Sequence, residues 1–327
     1  MEHEHMEAGK VKKESAWTRQ INIYKGYKRD MIANWELYVF LLVPTVWLLV
    51  FRYMPMYGVQ IAFKDYTIEL GIWGSPWIGL GQFTRFFNSP IFWRLIRNTL
   101  VLSLYNLFAV FPIPIILALA LHSARFYPYK KFVQMSTYLP YFISEIVLVG
   151  MLLVALHPRV GFYGVVYNQI TGNYPRDLMS SASAFPHLFV WSGAWQTIGF
   201  NSIIFLAALS AVDPELHEAA VVDGATRFQR IKNIDIPAII PTVIILLILR
   251  VGHIMSIGFE KAFLMQNDLN RMTSEIISTY VYQIGLVTGV GNFSFAAAIG
   301  FFDSIINLIL LVLVNEIARK VSDTSLW

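Results

Sequence analysis

An all-α integral membrane protein with six transmembrane helices is the fold class this sequence predicts, and three observations carry that prediction. The first is composition: the 327 residues are 56% hydrophobic and only 14% charged, whereas a soluble domain holds about a quarter charged residues, and the mean hydropathy is +0.54. The second is patterning. A bilayer-spanning helix needs roughly 17–25 mainly apolar residues, and six stretches qualify: 36–53, 97–121, 136–156, 185–209, 237–259 and 293–315. The third is the placing of basic residues. With the amino terminus in the cytosol, the cytosolic segments hold about 15 Lys and Arg and the outer segments about 9, the direction of the positive-inside rule.

Taken in order, residues 1–35 are a basic tail, with Lys10, Lys12, Lys13, Arg19, Lys25, Lys28 and Arg29 ahead of the first apolar run. No small-residue cleavage site lies nearby, so that run reads as a retained anchor. The spanning domain covers 36–316. Pro44 is expected to kink the first span, and Pro112 with Pro114 to bend the second, which neighbouring helices in a bundle tolerate. The outer loop 54–95 is aromatic, and its end, 82–87 followed by Phe92, Trp93 and Arg94, reads as a short interfacial helix. It is a surface anchor that also suits a landing surface for an extracytoplasmic partner. Residues 317–327 form a second cytosolic tail.

Several chemistries are excluded. The chain has no cysteine, hence no disulfide or thiolate site. It has no G-x-x-x-x-G-K-[ST] loop to cradle nucleotide phosphates. His217-Glu218 lacks the second histidine of an H-E-x-x-H zinc helix, and there is no G-x-S-x-G elbow. Gly285, Gly289 and Gly291 read as a flexible outer loop, His3 and His5 as part of an unstructured tail, and Asn292-Phe293-Ser294 as a formal sequon at a helix end.

The most informative stretch is 213–236, between the fourth and fifth spans. Asp213 is a good N-cap and Pro214 fits the first helical position. Glu215 and Glu218 fall in the opening turns, where the helix dipole favours negative charge. Gly224 can adopt the left-handed conformation that ends a helix. A second short basic helix follows, and Pro237 opens the next span. Small Ala219 and Ala220 leave room for close packing of another protein.

This run resembles the EAA loop of binding-protein-dependent ABC importer permeases, whose pattern is E-A-A, three residues, G, nine residues, I, one residue, L-P. Glu218, Ala219, Ala220, Gly224, Ile234 and Pro237 match in register, with Ile236 in place of the usual Leu. Segments such as Pro55-Met56-Tyr57-Gly58, Arg97-Asn98-Thr99-Leu100, Gly258-Phe259-Glu260-Lys261 and Ser325-Leu326-Trp327 are similar to the LplB-type branch of the MalF/UgpA-like carbohydrate permeases. The resemblance implies a type I importer permease fold in a bacterial inner membrane, with the EAA helices, including Asp223, docked in a cytosolic ATPase. It implies a second homologous permease, an ATPase dimer that binds ATP and Mg, and an extracytoplasmic solute-binding protein. It implies oligosaccharide cargo, including acidic pectin- or alginate-type fragments. No cofactor in this chain, no catalysis of its own and no nucleic-acid partner are expected.

Polar groups at membrane depth face a bundle interior or a water-filled path. The candidates are Trp191, Trp195, Gln196 and Asn201 in the fourth span, Arg250 and His253 in the fifth, Asp303 in the sixth and Glu145 in the third. Aromatic faces and amides suit sugars; the other reading is glue between helices. Arg250 and Asp303, expected at matching depth on consecutive spans, are either a structural ion pair or leave Arg250 free to grip a sugar carboxylate. A membrane-embedded hydrolase would need a nucleophile–base pair or metal cluster. A secondary transporter often shows inverted repeats. Neither signature is found.

Overall fold

The computed structural model describes residues 31–288, 292–321, 325 and 326. The expectations for the basic tail and its histidines, for Gly289 and Gly291 and for Trp327 lie outside the described residues. The chain divides into two compact units, Met1–Val59 and Gln60–Trp327.

The first unit is built on α1, which starts at Trp35 and is α-helical to Leu48 and π-helical over Leu49–Tyr53. Pro44 lies inside it and none of its side chains is buried. A helix apolar on every face needs an apolar solvent. The helical run was expected to stop at Tyr53. It continues through Met54–Met56 and a 3₁₀ stretch, Tyr57–Phe63, so the first long loop begins near Lys64 and not at 54.

In the second unit, α2 (Gly71–Gly74) and α3 (Gly81–Phe87) accompany a single antiparallel bridge between Lys64 and Trp77. The long α4 (Phe92–Ser123) contains a π turn at Asn106–Val110, just before Pro112 and Pro114. The bend expected at the prolines thus takes the form of a local change in winding. The third expected span is not one straight helix. It is a pair, α5 (Tyr127–Phe142) and α6 (Glu145–Ala155), meeting at 99°. Ser144 restarts the helix by accepting the Val147 amide, and Gln196 Nε2 donates to the Ile143 carbonyl at 2.7 Å, satisfying the break. A shorter α7 (Phe162–Thr171) leads to α8 (Phe185–Ser210), whose bounds follow the expectation closely. From α8 the chain turns by 70° into α9 (Pro214–Val222).

The fifth span differs at both ends. It runs as α10 (Arg227–Gly252), so the second short basic helix is not separate: it joins the span through a π segment, Ile231–Asp235. It also stops seven residues short of Phe259. The reason is side-chain competition for the backbone. Asn307 Oδ1 accepts the Met255 amide at 3.0 Å and Ser103 Oγ donates to the Ile254 carbonyl, so these groups leave the helical ladder. Three short helices follow, α11 (Phe259–Met265), α12 (Arg271–Ser274) and α13 (Ile277–Val287). Gly285 is therefore inside a helix and not in a flexible loop. The last span, α14 (Phe293–Lys320), runs past the expected end at 315. Among the described residues four runs are long and apolar enough to cross a bilayer alone, and counting each bent pair as one span brings the total to six.

Within this unit α8 packs on α4 and α5, and α10 packs on α14. The approach of α8 to α5 requires Gly199: a Cβ there would lie 2.0 Å from the Thr137 carbonyl oxygen. One apolar cluster gathers Leu102, Phe185, Phe189, Val190, Ala262 and Ile276; a second gathers Phe86, Leu95, Ile277, Phe295 and Ile299.

Candidate functional site: a coupling loop and a polar cavity

The 213–236 loop, the candidate for coupling, is made by local chemistry. Asp213 accepts the Glu215 amide at 2.9 Å and Pro214 opens α9. Gly224 sits at φ +77°. The Ala225 amide bonds to the Ala220 carbonyl at 2.8 Å and the Gly224 amide to that of Val221 at 3.0 Å. That pair of bonds is the Schellman closure, which the left-handed residue makes possible. Thr226 and Gln229 then form a capping box that starts α10. Glu218, Ala219 and Asp223 are exposed, Ala220 and Ile234 half-buried and Pro237 exposed. No residue of α9 is buried, and Val222 is 87% exposed.

A second group surrounds a cavity of about 270 Å³ between α4, α6, α8 and the turn after α10. Its polar lining includes Glu145, Gln196, Thr197, Arg250, His253 and Lys261. Lys261, on α11, is only 4% exposed. Its Nζ has no hydrogen-bond acceptor among the described residues and lies 5.2 Å from the Phe189 ring centroid. Burial pushes its ammonium down to about 8, against the raising effect of Glu145. Gly193 makes room for it: a Cβ there would be 2.8 Å from Nζ.

The residues expected to line a path separate into groups. Arg250 and His253 line both this cavity and an adjoining, mostly apolar groove of about 620 Å³, where Asn201 also lies. Gln196 is buried and serves the α5–α6 break through its amide, while its Oε1 stays unpartnered. Trp191 and Trp195 are half-exposed, at 48% and 50%. Trp191 Nε1 donates to Tyr105 Oη at 2.8 Å, and Tyr105 meets His187 Nδ1 at 2.9 Å. Tyr105 and His187 were not anticipated, although His187, Trp191 and Trp195 recur at the four-residue spacing of one helix face.

The expected Arg250–Asp303 pair is not formed. Asp303 Oδ2 accepts from Ser256 Oγ at 3.3 Å, beside Asn307, and Arg250 makes no ion pair among the described residues. The matching of depths assumed a helix continuing to Phe259. It ends at Gly252, so Arg250 stands in the last turn of α10 and Asp303 fastens the turn that follows. Lys261 was not singled out as a site residue in advance. Its setting in Gly258-Phe259-Glu260-Lys261-Ala262-Phe263, among apolar neighbours, was the available signal.

Comparison with known proteins agrees with this architecture. Residues 110–323 match the profile of the binding-protein-dependent transport system inner membrane component. The chain is 41% identical to protein LplB of Bacillus subtilis (strain 168), over 92% of each chain. It is 39% identical to YteP of the same organism, a permease protein of a polygalacturonan/rhamnogalacturonan transport system, over 93% of this chain and 96% of the other. Among solved structures, a chain of a bacterial alginate ABC transporter, crystallised with an alginate pentasaccharide-bound periplasmic protein, superposes with a TM-score of 0.81. That match has 36% identity and covers 91% of this chain and 99% of the other. The chain belongs to the family of binding-protein-dependent transport system inner membrane components.

Proposed function

We propose that this chain is the channel-forming permease half of an ATP-driven oligosaccharide importer, and that its cargo is acidic. As a permease subunit it is not an enzyme, and ATP hydrolysis lies in a separate subunit. The observation that carries the acidic assignment is Lys261: a buried ammonium without an acceptor, sharing a cavity with Arg250 and His253. A buried cation is costly until it meets an anion, and a sugar carboxylate supplies one. Glu145 on the same wall tempers the field, and at neutral pH Arg250 and Lys261 stand as two cations against that one carboxylate. The transport systems of YteP and of the alginate structure are named for uronic-acid polymers, which agrees with this reading.

The remaining parts follow. A second, homologous permease covers the apolar groove and completes the path. An ATPase dimer, holding ATP and Mg, takes α9 in a cleft through Glu218, Ala219, Ala220, Asp223, Gly224, Ile234 and Pro237. A solute-binding protein docks on the opposite face, over the aromatic α3 and the start of α4. Both termini and α9 lie in the cytosol. Nucleotide binding and the docked binding protein favour different states of the two permease halves, and that differential affinity drives alternating access.

The test is uptake by the reconstituted complex of oligogalacturonate, oligoalginate and a neutral oligosaccharide of similar length. Lys261→Met and Arg250→Gln should each reduce acidic uptake by at least about tenfold, the order of one charge-assisted contact, with neutral uptake unchanged. Equal loss of all three sugars would reject the acidic cargo while leaving the importer reading intact.

A further inference from the structure

A separate cluster lies where the coupling helix meets the spans. His122 ends α4, His217 is on α9, and Asp235 closes the π segment of α10. The Asp235 side chain is 3% exposed. His217 Nε2 approaches its Oδ1 at 3.1 Å and His122 Nε2 approaches the same oxygen at 3.9 Å. All three ligand atoms lie within 4.8 Å of one another. The 3.1 Å approach lacks hydrogen-bond alignment, so His217 Nε2 and Asp235 Oδ1 are both buried and without a hydrogen-bond partner. Two imidazole nitrogens and one carboxylate oxygen thus converge on a single point from three elements.

We propose that His122, His217 and Asp235 form a binding site for a borderline divalent metal ion of the zinc class. Metal–ligand bonds of about 2.0–2.1 Å at tetrahedral angles put neighbouring donor atoms roughly 3.3 Å apart. The His217–Asp235 spacing already meets this, while His122 Nε2, 3.9 Å from Asp235 Oδ1 and within 4.8 Å of the other ligand atoms, has to close inward. Two imidazoles and one carboxylate select zinc, nickel or cobalt over magnesium or calcium, which take mainly oxygen donors. Three protein ligands leave one position open. It faces a recess of about 270 Å³ rimmed by Arg125, Arg227 and Arg230, so the fourth ligand is water-derived or anionic. A bound ion ties α9 to the ends of two spans. It therefore slows any motion of the coupling helix relative to the bundle.

The test uses the assembled complex, with its permease and ATPase partners, in a His3→Ala/His5→Ala background so that the tail adds no ligands. Zinc binding is measured by competition with a chromophoric chelator. The reference complex should bind one zinc per complex more than His122→Ala or His217→Gln, with affinity at least about 100-fold tighter, the upper end of what losing even an outer supporting group costs. Zinc should also slow substrate-stimulated ATP hydrolysis in the reference complex and not in His122→Ala. His122 is half-exposed at a helix end, so its variant decides the matter if His217→Gln assembles poorly. Equal zinc binding by the reference and His122→Ala complexes overturns the proposal. So does a thermal midpoint raised by phosphate and not by zinc, which would make the recess an anion pocket.

Discussion

The segment between α10 and α14 and the coupling loop between α8 and α10 are both short helices joined by turns, yet they are finished in opposite ways. In the first, Asn270 is fully buried and saturated. Its Nδ2 donates to the Met179 and Met265 carbonyls at 2.8 and 2.9 Å, and its Oδ1 accepts from the Asn267 amide and Ser274 Oγ. Asn98 reaches across to the Met272 and Glu275 carbonyls, Thr273 to the Ala182 carbonyl, and Arg94 pairs with Glu275 at 2.5 Å. The coupling loop has its caps and turns satisfied within itself but buries nothing of α9, leaving Leu216, Val221 and Val222 exposed. One region is fastened by its own chain around Asn270, with the Lys261 ammonium left open to the cavity. The other is complete as a backbone and leaves its apolar surface open.

Variants should separate the two. The largest effect is expected from Asn270→Ala, which strands several buried backbone groups at about 1–3 kcal/mol each. It should sharply lower the yield and thermal midpoint of the assembled complex. An unchanged midpoint would mean the network is not what holds this segment. Next come Gly224→Val and Ala219→Trp. The first forces a β-branched residue to positive φ, and the second blocks close packing on α9. Both should insert and fold normally, and both should lose substrate-stimulated ATP hydrolysis. Full stimulation in both would remove α9 from the coupling role.

A smaller effect concerns pH. Lys261 has its proton affinity lowered by burial to about 8, below the ordinary lysine value near 10.4. Between those values the unfolded chain binds more protons than the folded one, so stability rises with pH across that window. The burial penalty is full below about 8 and is relieved as pH climbs toward the ordinary value. Acidic uptake should move the other way, falling above about pH 8 as the charge is lost. Lys261→Met should flatten both trends; parallel trends in the variant would assign them to other groups. Smallest of all, Val222→Ser should leave the thermal midpoint within about 0.5 kcal/mol equivalent, as exposed sites do, while weakening ATPase association measurably.

The same contrast explains what could be read from the sequence. Asp213, Pro214, Gly224 and the EAA spacing act within a few residues of themselves, so the coupling loop was legible, as were six apolar runs. The 253–287 segment was not, because its order comes from partners such as Asn98, Met179 and Ala182, far away in the chain. The true end of α10 was hidden for the same reason: Ser103 and Asn307 take the backbone groups that would have extended it. Gln196 and Asp303 were singled out as candidate polar groups at membrane depth, and the structure places each beside a break in a span. Nothing in the sequence could say that each fastens a break in a span and that Lys261 is left without an acceptor.

The π segment Ile231–Asp235 has a consequence for how such a helix is numbered around its axis. Each residue of an α-helix advances by about 100°, and a π turn accommodates one residue more than the α turn it replaces. A helical wheel drawn through Arg227–Gly252 as a uniform α-helix is therefore out of phase by about one residue between its two ends. The direction in which Arg227 and Arg230 point relative to Arg250 is fixed by that single extra residue. Deleting one residue from the segment would let an ordinary α turn replace the π turn and keep Arg227 and Arg230 close to their direction relative to Arg250, whereas deleting one elsewhere in α10 would rotate the two ends against each other by about 100°. Inserting one elsewhere in α10 would have the same angular reach.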